Sequence, residues 1–205
     1  MVLRSLGAIC MAGAFLSVSG GTAAAADCPN AKKPTQAFRV SVGNASATDV
    51  YRLDTGETRT VTRFKGGAIT EQTYYQGLIP IEHIDDGRRA TYAPKTALSA
   101  LFPLKVGQTY RVDFDMQAPD GKKSILQAVF KVTGKDKVAI GGCSYEVFKV
   151  EHSASRGKAP LQFINTDWYA PDIRLIVARE YRDGKRGSII NKYDTISVID
   201  GATGK

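Results

Sequence analysis

Two histidines, His83 and His152, are all the chain contains, and they restrict the acid–base and metal chemistry that its other residues could support. His152 is followed closely by Ser153 and Ser155, the residue types of a nucleophile and its base, yet no G-x-S-x-G elbow accompanies them. His83-Ile84-Asp85-Asp86 offers a nitrogen and two carboxylates to a metal, but Asp86-Gly87 is also a hairpin turn signal, with Arg88 and Arg89 placed to pair with the acids. Asp113 and Asp115 stand two apart, offering the two carboxylates that glycoside hydrolysis requires. Beside Arg111 they read more simply as the wet face of a strand. No phosphate-binding glycine loop, zinc spacing or dinucleotide fingerprint occurs. The expectation is a protein that is not an enzyme and carries no catalytic residues, no metal and no cofactor.

Two features remain with chemical content. Cys10 lies in a leader-like segment, which leaves Cys28 and Cys143 as an even pair. In an oxidising compartment they are expected to form a structural disulfide; free thiols or a redox pair are the alternatives, and no C-x-x-C spacing favours the latter. Trp168-Tyr169 precede Pro171, and with Phe148 they are the aromatic residues that would line a ligand pocket if one exists. Packing in the core or at its rim is the simpler reading, since large aromatics supply much of a small core's burial.

The elements that would position these residues are short β-type runs. Met1–Ala26 has a basic Arg4, a glycine-interrupted apolar run and Ala24-Ala25-Ala26, the pattern of an export signal cleaved near Ala26. A periplasmic location follows, with no membrane span left after processing. The remainder, 27–205, is read as a single β-rich domain. Strand patterns lie at Gln36–Ser41, Ala47–Leu53, Thr58–Phe64, within Ala68–Ile84, and at Arg88–Tyr92. The clearest alternation sets Tyr110, Val112, Phe114 and Met116 against Arg111, Asp113, Asp115 and Gln117. Ser124–Thr133 follows, a turn is expected at Gly134-Lys135-Asp136, and Lys137–Ile140 leads to a bend at Gly141-Gly142. Tyr145–Glu151, a loop over Ser153–Pro160, Leu161–Tyr169, Ile173–Tyr181, a turn at Asp183-Gly184-Lys185, Ser188–Ile199 and a frayed Gly201–Lys205 complete the chain. A short helix is expected within Ala93–Pro103. The sum is an all-β antiparallel meander of about ten strands with at most one or two short helices, curved into a half-barrel or incomplete barrel; a β-sandwich is the alternative.

Leu101-Phe-Pro-Leu-Lys-Val-Gly-Gln-Thr-Tyr110, the Gly142, Tyr145, Phe148-Lys-Val-Glu151 series, and Trp168-Tyr-Ala-Pro171 with Val177-Ala-Arg-Glu180 together resemble a group of exported bacterial β-proteins of unknown function. In that group a P-L-x-V-G segment precedes a K-V-E strand and a W-Y-[SA]-P segment. The resemblance spans residues 101 to 181 and departs from the pattern at Asp172-Ile173-Arg174, where a glycine is expected. It implies a periplasmic β-fold and brings no catalytic residues. The formal net charge of +8 favours an anionic or amphiphilic envelope partner, although the basic residues are dispersed along solvated strand faces and no nucleic-acid partner is expected. A ligand-free module that holds a protein or glycan, and a hydrolase with unrecognised carboxylates, are the rival readings.

Overall fold

A computed structural model of the protein describes residues 27–157, 163–183 and 187–203. It contains thirteen strands: β1 Gln36–Val42, β2 Ser46–Arg52, β3 Glu57–Phe64, β4 Ile69–Tyr75, β5 Ile79–Asp85, β6 Arg88–Pro94, β7 Thr109–Gln117, β8 Lys123–Ile140, β9 Cys143–Arg156, β10 Phe163–Ala170, β11 Leu175–Asp183, β12 Gly187–Lys192 and β13 Thr195–Thr203. All pair antiparallel in one sheet that follows chain order from β12 back to β1 and then adds β13 beside β1. The protein is thus all-β, a curved meander that stays unclosed.

The alternating runs form strands for the reason their pattern suggests. In β7, Val112 and Phe114 are fully buried while Arg111, Asp113 and Asp115 are exposed. The facing β8 contributes Ala128, Phe130 and Val132 to the same core. Burying each large side chain of this kind contributes about 1.5–3 kcal/mol. A register that slipped by one residue would expose them all. A second core joins Phe38, Val40 and Val50 to Val138, Ile140, Tyr145 and Val147, with Leu175 and Val177 packed between.

Several expectations are corrected. The turn at Gly134-Lys135-Asp136 is absent: β8 runs unbroken through it, and the irregularity is a bulge between Val132 and Gly134. An isolated strand glycine permits such a bulge without reversing the chain. This makes β8 and β9 a long hairpin, turned by Gly141 and Gly142 at φ +53° and +85°, values that favour glycine. The helix within Ala93–Pro103 shrinks to one 3-10 turn, Leu98–Leu101, that lacks a side-chain cap. Strand β9 extends to Arg156 across much of the expected loop, and Gly201 belongs to β13 rather than to a frayed tail. Residues 1–26 of the expected export signal, 158–162 across the end of the expected loop, 184–186 of the expected turn, and 204–205 lie outside the described residues.

The course of β12 and β13 explains the curvature. Only Tyr193 and Asp194 separate them, yet they occupy opposite ends of the strand order. Strands β11 and β1 run the same way in the meander, and β12 and β13 each run against one of them. The two strands are therefore one extended course that pairs first with β11 and then with β1. Two linking residues span no more than about 10 Å, so the sheet must curl until its two margins meet there. Tyr193 N–H donates to Val177 O at 3.3 Å, and Asp194 N–H donates to Ser41 O at 2.8 Å, fastening both margins to the link. The outer side of β12 pairs with no strand among the described residues, leaving the curl open along that stretch.

Candidate functional site

The curl encloses a cavity of about 450 Å³ between β2–β4 on one side and β11 with the β12–β13 link on the other. Period-two alternation aims Ser46 and Thr48, then Thr58, Thr60 and Thr62, then Thr70, Gln72 and Tyr74 into this space. The opposite wall supplies Leu175, Val177, Arg179 and Tyr181. A row of hydroxyls therefore faces a mainly aliphatic strand, and such a space suits a molecule with both polar and apolar parts. Phe64 and Tyr181 line the cavity at its outer end and remain 45% and 41% exposed.

The inner end is closed by turns. A Cβ on Gly77 would stand 1.7 Å from Arg174 O, so only glycine allows the β4–β5 turn to meet the β10–β11 turn. Tyr169 Oη–H donates to Gln76 O at 2.5 Å, and Arg174 Nη1 donates to Leu53 O at 2.8 Å. Arg52 is fully buried and donates to the carbonyls of Asn30, Lys33, Gln36 and Asp172 at 2.5 to 3.2 Å. Its guanidinium also lies 5.5 Å from the centre of the Phe38 ring. Burial, aided by the like charge of Arg174, holds the Arg52 pKa down to about 10. One side chain thus ties the N-terminal segment to the β10–β11 turn. The same segment is bridged by Cys28–Cys143, whose Cα atoms are 5.7 Å apart.

Asp167 is fully buried beside the cavity wall, receiving Arg179 Nε and Nη2 at 2.5 and 2.9 Å, with His152 Nδ1 3.7 Å away. Burial would raise its carboxyl, but the charge and hydrogen bonds of Arg179 and His152 outweigh that and hold it below the ordinary range. His152 stacks on Phe130 with ring centroids 4.4 Å apart. Ser153 and Ser155 alternate to the other side of β9, so the structure does not gather a serine, histidine and aspartate. Tyr74 bonds Gln72, which bonds His83 Nδ1 at 2.9 Å; burial pushes the Tyr74 phenol well above its ordinary value, opposed by the charge of Arg179. On the outer face Asp49 accepts from Arg39 and Arg63 at 2.6 Å each, and their bonds depress its pKa against the effect of burial.

The aromatic residues named from the sequence lie elsewhere. Trp168 packs on the core that contains Cys143, while Tyr169 and Phe148 belong to the core beneath β7 and β8. Neighbouring positions on a strand point to opposite faces, so Trp168 and Tyr169 do not share a pocket, and none of the three lines the cavity. His83, Asp85 and Asp86 form the expected hairpin, with Asp86 and Gly87 at positive φ and Arg88 bonding Asp85. Among the described residues no His, Cys, Asp and Glu group fit to hold a metal occurs. The residues overlooked are Thr58, Thr60 and Thr62, read as one side of a half-exposed strand. The signal was present in their alignment with Ser46, Thr48, Thr70 and Gln72, hydroxyl and amide side chains repeating at every second position of three consecutive runs.

No family model matches the chain, and no curated protein does. Among solved structures it is similar to the hypothetical lipoprotein YmcC from Escherichia coli (K12), at 10% identity over 84% of this chain and 87% of that one, with a TM-score of 0.46.

Proposed function

We propose that this is a non-catalytic protein of the periplasm that holds an amphiphilic envelope molecule inside its curled sheet. The observation that carries the reading is the cavity, with hydroxyls on β2–β4, aliphatic side chains on β11 and exposed aromatic residues at its outer end. Its volume falls in the range of sites that enclose most of a small ligand. The Cys28–Cys143 bridge supports a compartment that oxidises thiols, in keeping with the export signal read in the sequence.

Native mass spectrometry of the protein purified from its own cell envelope, with solvent extraction of whatever accompanies it, tests the reading. A mass adduct that extracts as an amphiphile is expected. In Thr62→Trp, which fills the cavity from an incompletely buried lining position, the adduct should disappear while the thermal midpoint stays within a few degrees. A protein that is consistently ligand-free and takes up no amphiphile in vitro refutes the proposal.

A further inference from the structure

The cavity is chemically polarised along its length, and its inner end carries positive charge that no carboxylate among the described residues pairs with. Arg39, Arg59, Arg63 and Arg179 each reach a carboxylate. Neither Arg52 nor Arg174 does so among the described residues; both bond only backbone carbonyls. Carbonyl dipoles solvate a guanidinium without neutralising it, and a buried cation gains most from a nearby anion. Arg174 lines the inner end of the cavity, and Arg52 is directly opposite Thr58 across the β2–β3 ladder.

Thr58 supplies the second, independent observation. It is fully buried, it lines the cavity, and its Oγ1 has no hydrogen-bond partner in the structure. The Nε of Arg52, on the same face of the sheet, is likewise unmatched. Leaving a buried donor unmatched costs about 1–3 kcal/mol, so two cross-strand neighbours in this state mark a place where an acceptor belongs.

We infer that the inner end of the cavity receives the anionic head group of the ligand, a carboxylate or a phosphate monoester. Arg174 and the Thr58 hydroxyl bind it directly, Arg52 lies behind them as a fixed charge, and the apolar tail runs outward along Val177 toward Phe64 and Tyr181. The ligand enters head first. This inference rests on the amphiphile reading above and narrows it to anionic amphiphiles in one orientation.

Calorimetric titration of the chain beginning at Asp27 with dodecanoate and dodecyl phosphate, each below its micellar concentration, and with dodecanol below its solubility limit separates the possibilities. The anions share dodecanol's tail and differ in the head. At least one should bind roughly 10- to 100-fold more tightly than dodecanol, the effect of a hydrogen bond to a charged group. The better of the two identifies the head-group chemistry. Arg174→Met and Thr58→Val should bring anion affinity toward that of dodecanol while changing dodecanol affinity far less. Thr58→Val preserves side-chain shape and decides the matter should Arg174→Met fail to fold. Equal affinity for all three probes, or an anion preference that survives Thr58→Val, overturns the inference and leaves the amphiphile reading standing. Binding of none of the three overturns that reading, and the inference with it.

Discussion

Removing the Cys28–Cys143 bridge should be among the most destabilising changes that leave the cavity lining intact. The bridge joins residues 115 positions apart, linking the segment before β1 to the β8–β9 hairpin tip. Closing a loop of that length in the unfolded chain corresponds to about 5 kcal/mol in the chain-entropy model. A domain of this size has a total stability of roughly 5–15 kcal/mol, so the double variant Cys28→Ala, Cys143→Ala loses a large share of it. With a urea m-value of about 2 kcal/mol per molar, the unfolding midpoint should fall by about 2 M. Cys143 is buried against Val138, Ile140 and Tyr145, so alanine there also removes some packing. The bridge does not act alone: two of the four carbonyls held by Arg52, those of Asn30 and Lys33, belong to the segment it anchors. Once the bridge is gone, that segment is free to leave Arg52. Arg52→Met should then cost less in the bridge-free background than in the wild type, with a coupling of about 1 kcal/mol or more. Urea unfolding of the four proteins of this cycle measures both quantities. A midpoint change corresponding to less than about 1 kcal/mol would refute the loop-closure argument, and strict additivity with Arg52→Met would show that the two anchors hold independent parts of the molecule.

Asp167→Asn should destabilise the protein at neutral pH by about 3 kcal/mol, near the lower end for breaking a buried pair because Arg179 keeps some contact with solvent. Because the folded-state pKa of Asp167 is depressed, the stabilisation it provides is complete above its unfolded value of about 4 and is lost as pH falls through the folded value. The stability gap between wild type and variant should thus narrow below about pH 4 in urea titrations; a constant gap from neutral to acid pH would contradict the assignment. Gly77→Ala forces a methyl group against the Arg174 carbonyl at a φ of +71°. A cost of at least about 2 kcal/mol is expected, read as a fall of about 6 °C in the melting midpoint. An unchanged midpoint would mean that the two turns do not meet as described.

Much of the fold was legible because strand patterning is local. The alternation in β7 follows from the chemistry of adjacent side chains, and the structure buries Val112, Phe114 and Met116 as that pattern requires. The turn at Asp86-Gly87 was legible for a similar reason, since positive φ is a property of the residues themselves, whereas Gly141-Gly142, read as a bend, proves to reverse the chain. Reading Met1–Ala26 as an export signal left Cys28 and Cys143 as an even pair for which a bridge was expected over free thiols, and the two sulfurs are bonded. The same local reasoning failed at Gly134, because a glycine that breaks a strand and one that merely bulges it look alike until the partner strand is known.

The sequence by itself determined that the protein would be an antiparallel β meander and which side chains of its best strands would meet a core. Tertiary structure alone decided what the curl encloses. Whether Thr58, Thr60 and Thr62 or Arg59, Val61 and Arg63 faced inward depended on how far the sheet bent, because neither face of β3 is plainly apolar. That bending is imposed by a link of two residues that must satisfy β11 and β1 at once. Likewise nothing near Arg52 in the chain announces a buried cation, since its four carbonyl partners come from Asn30, Lys33, Gln36 and Asp172 and converge only when the sheet curls. Patterning records which face a residue prefers; the closure of distant margins determines which residues that face will meet.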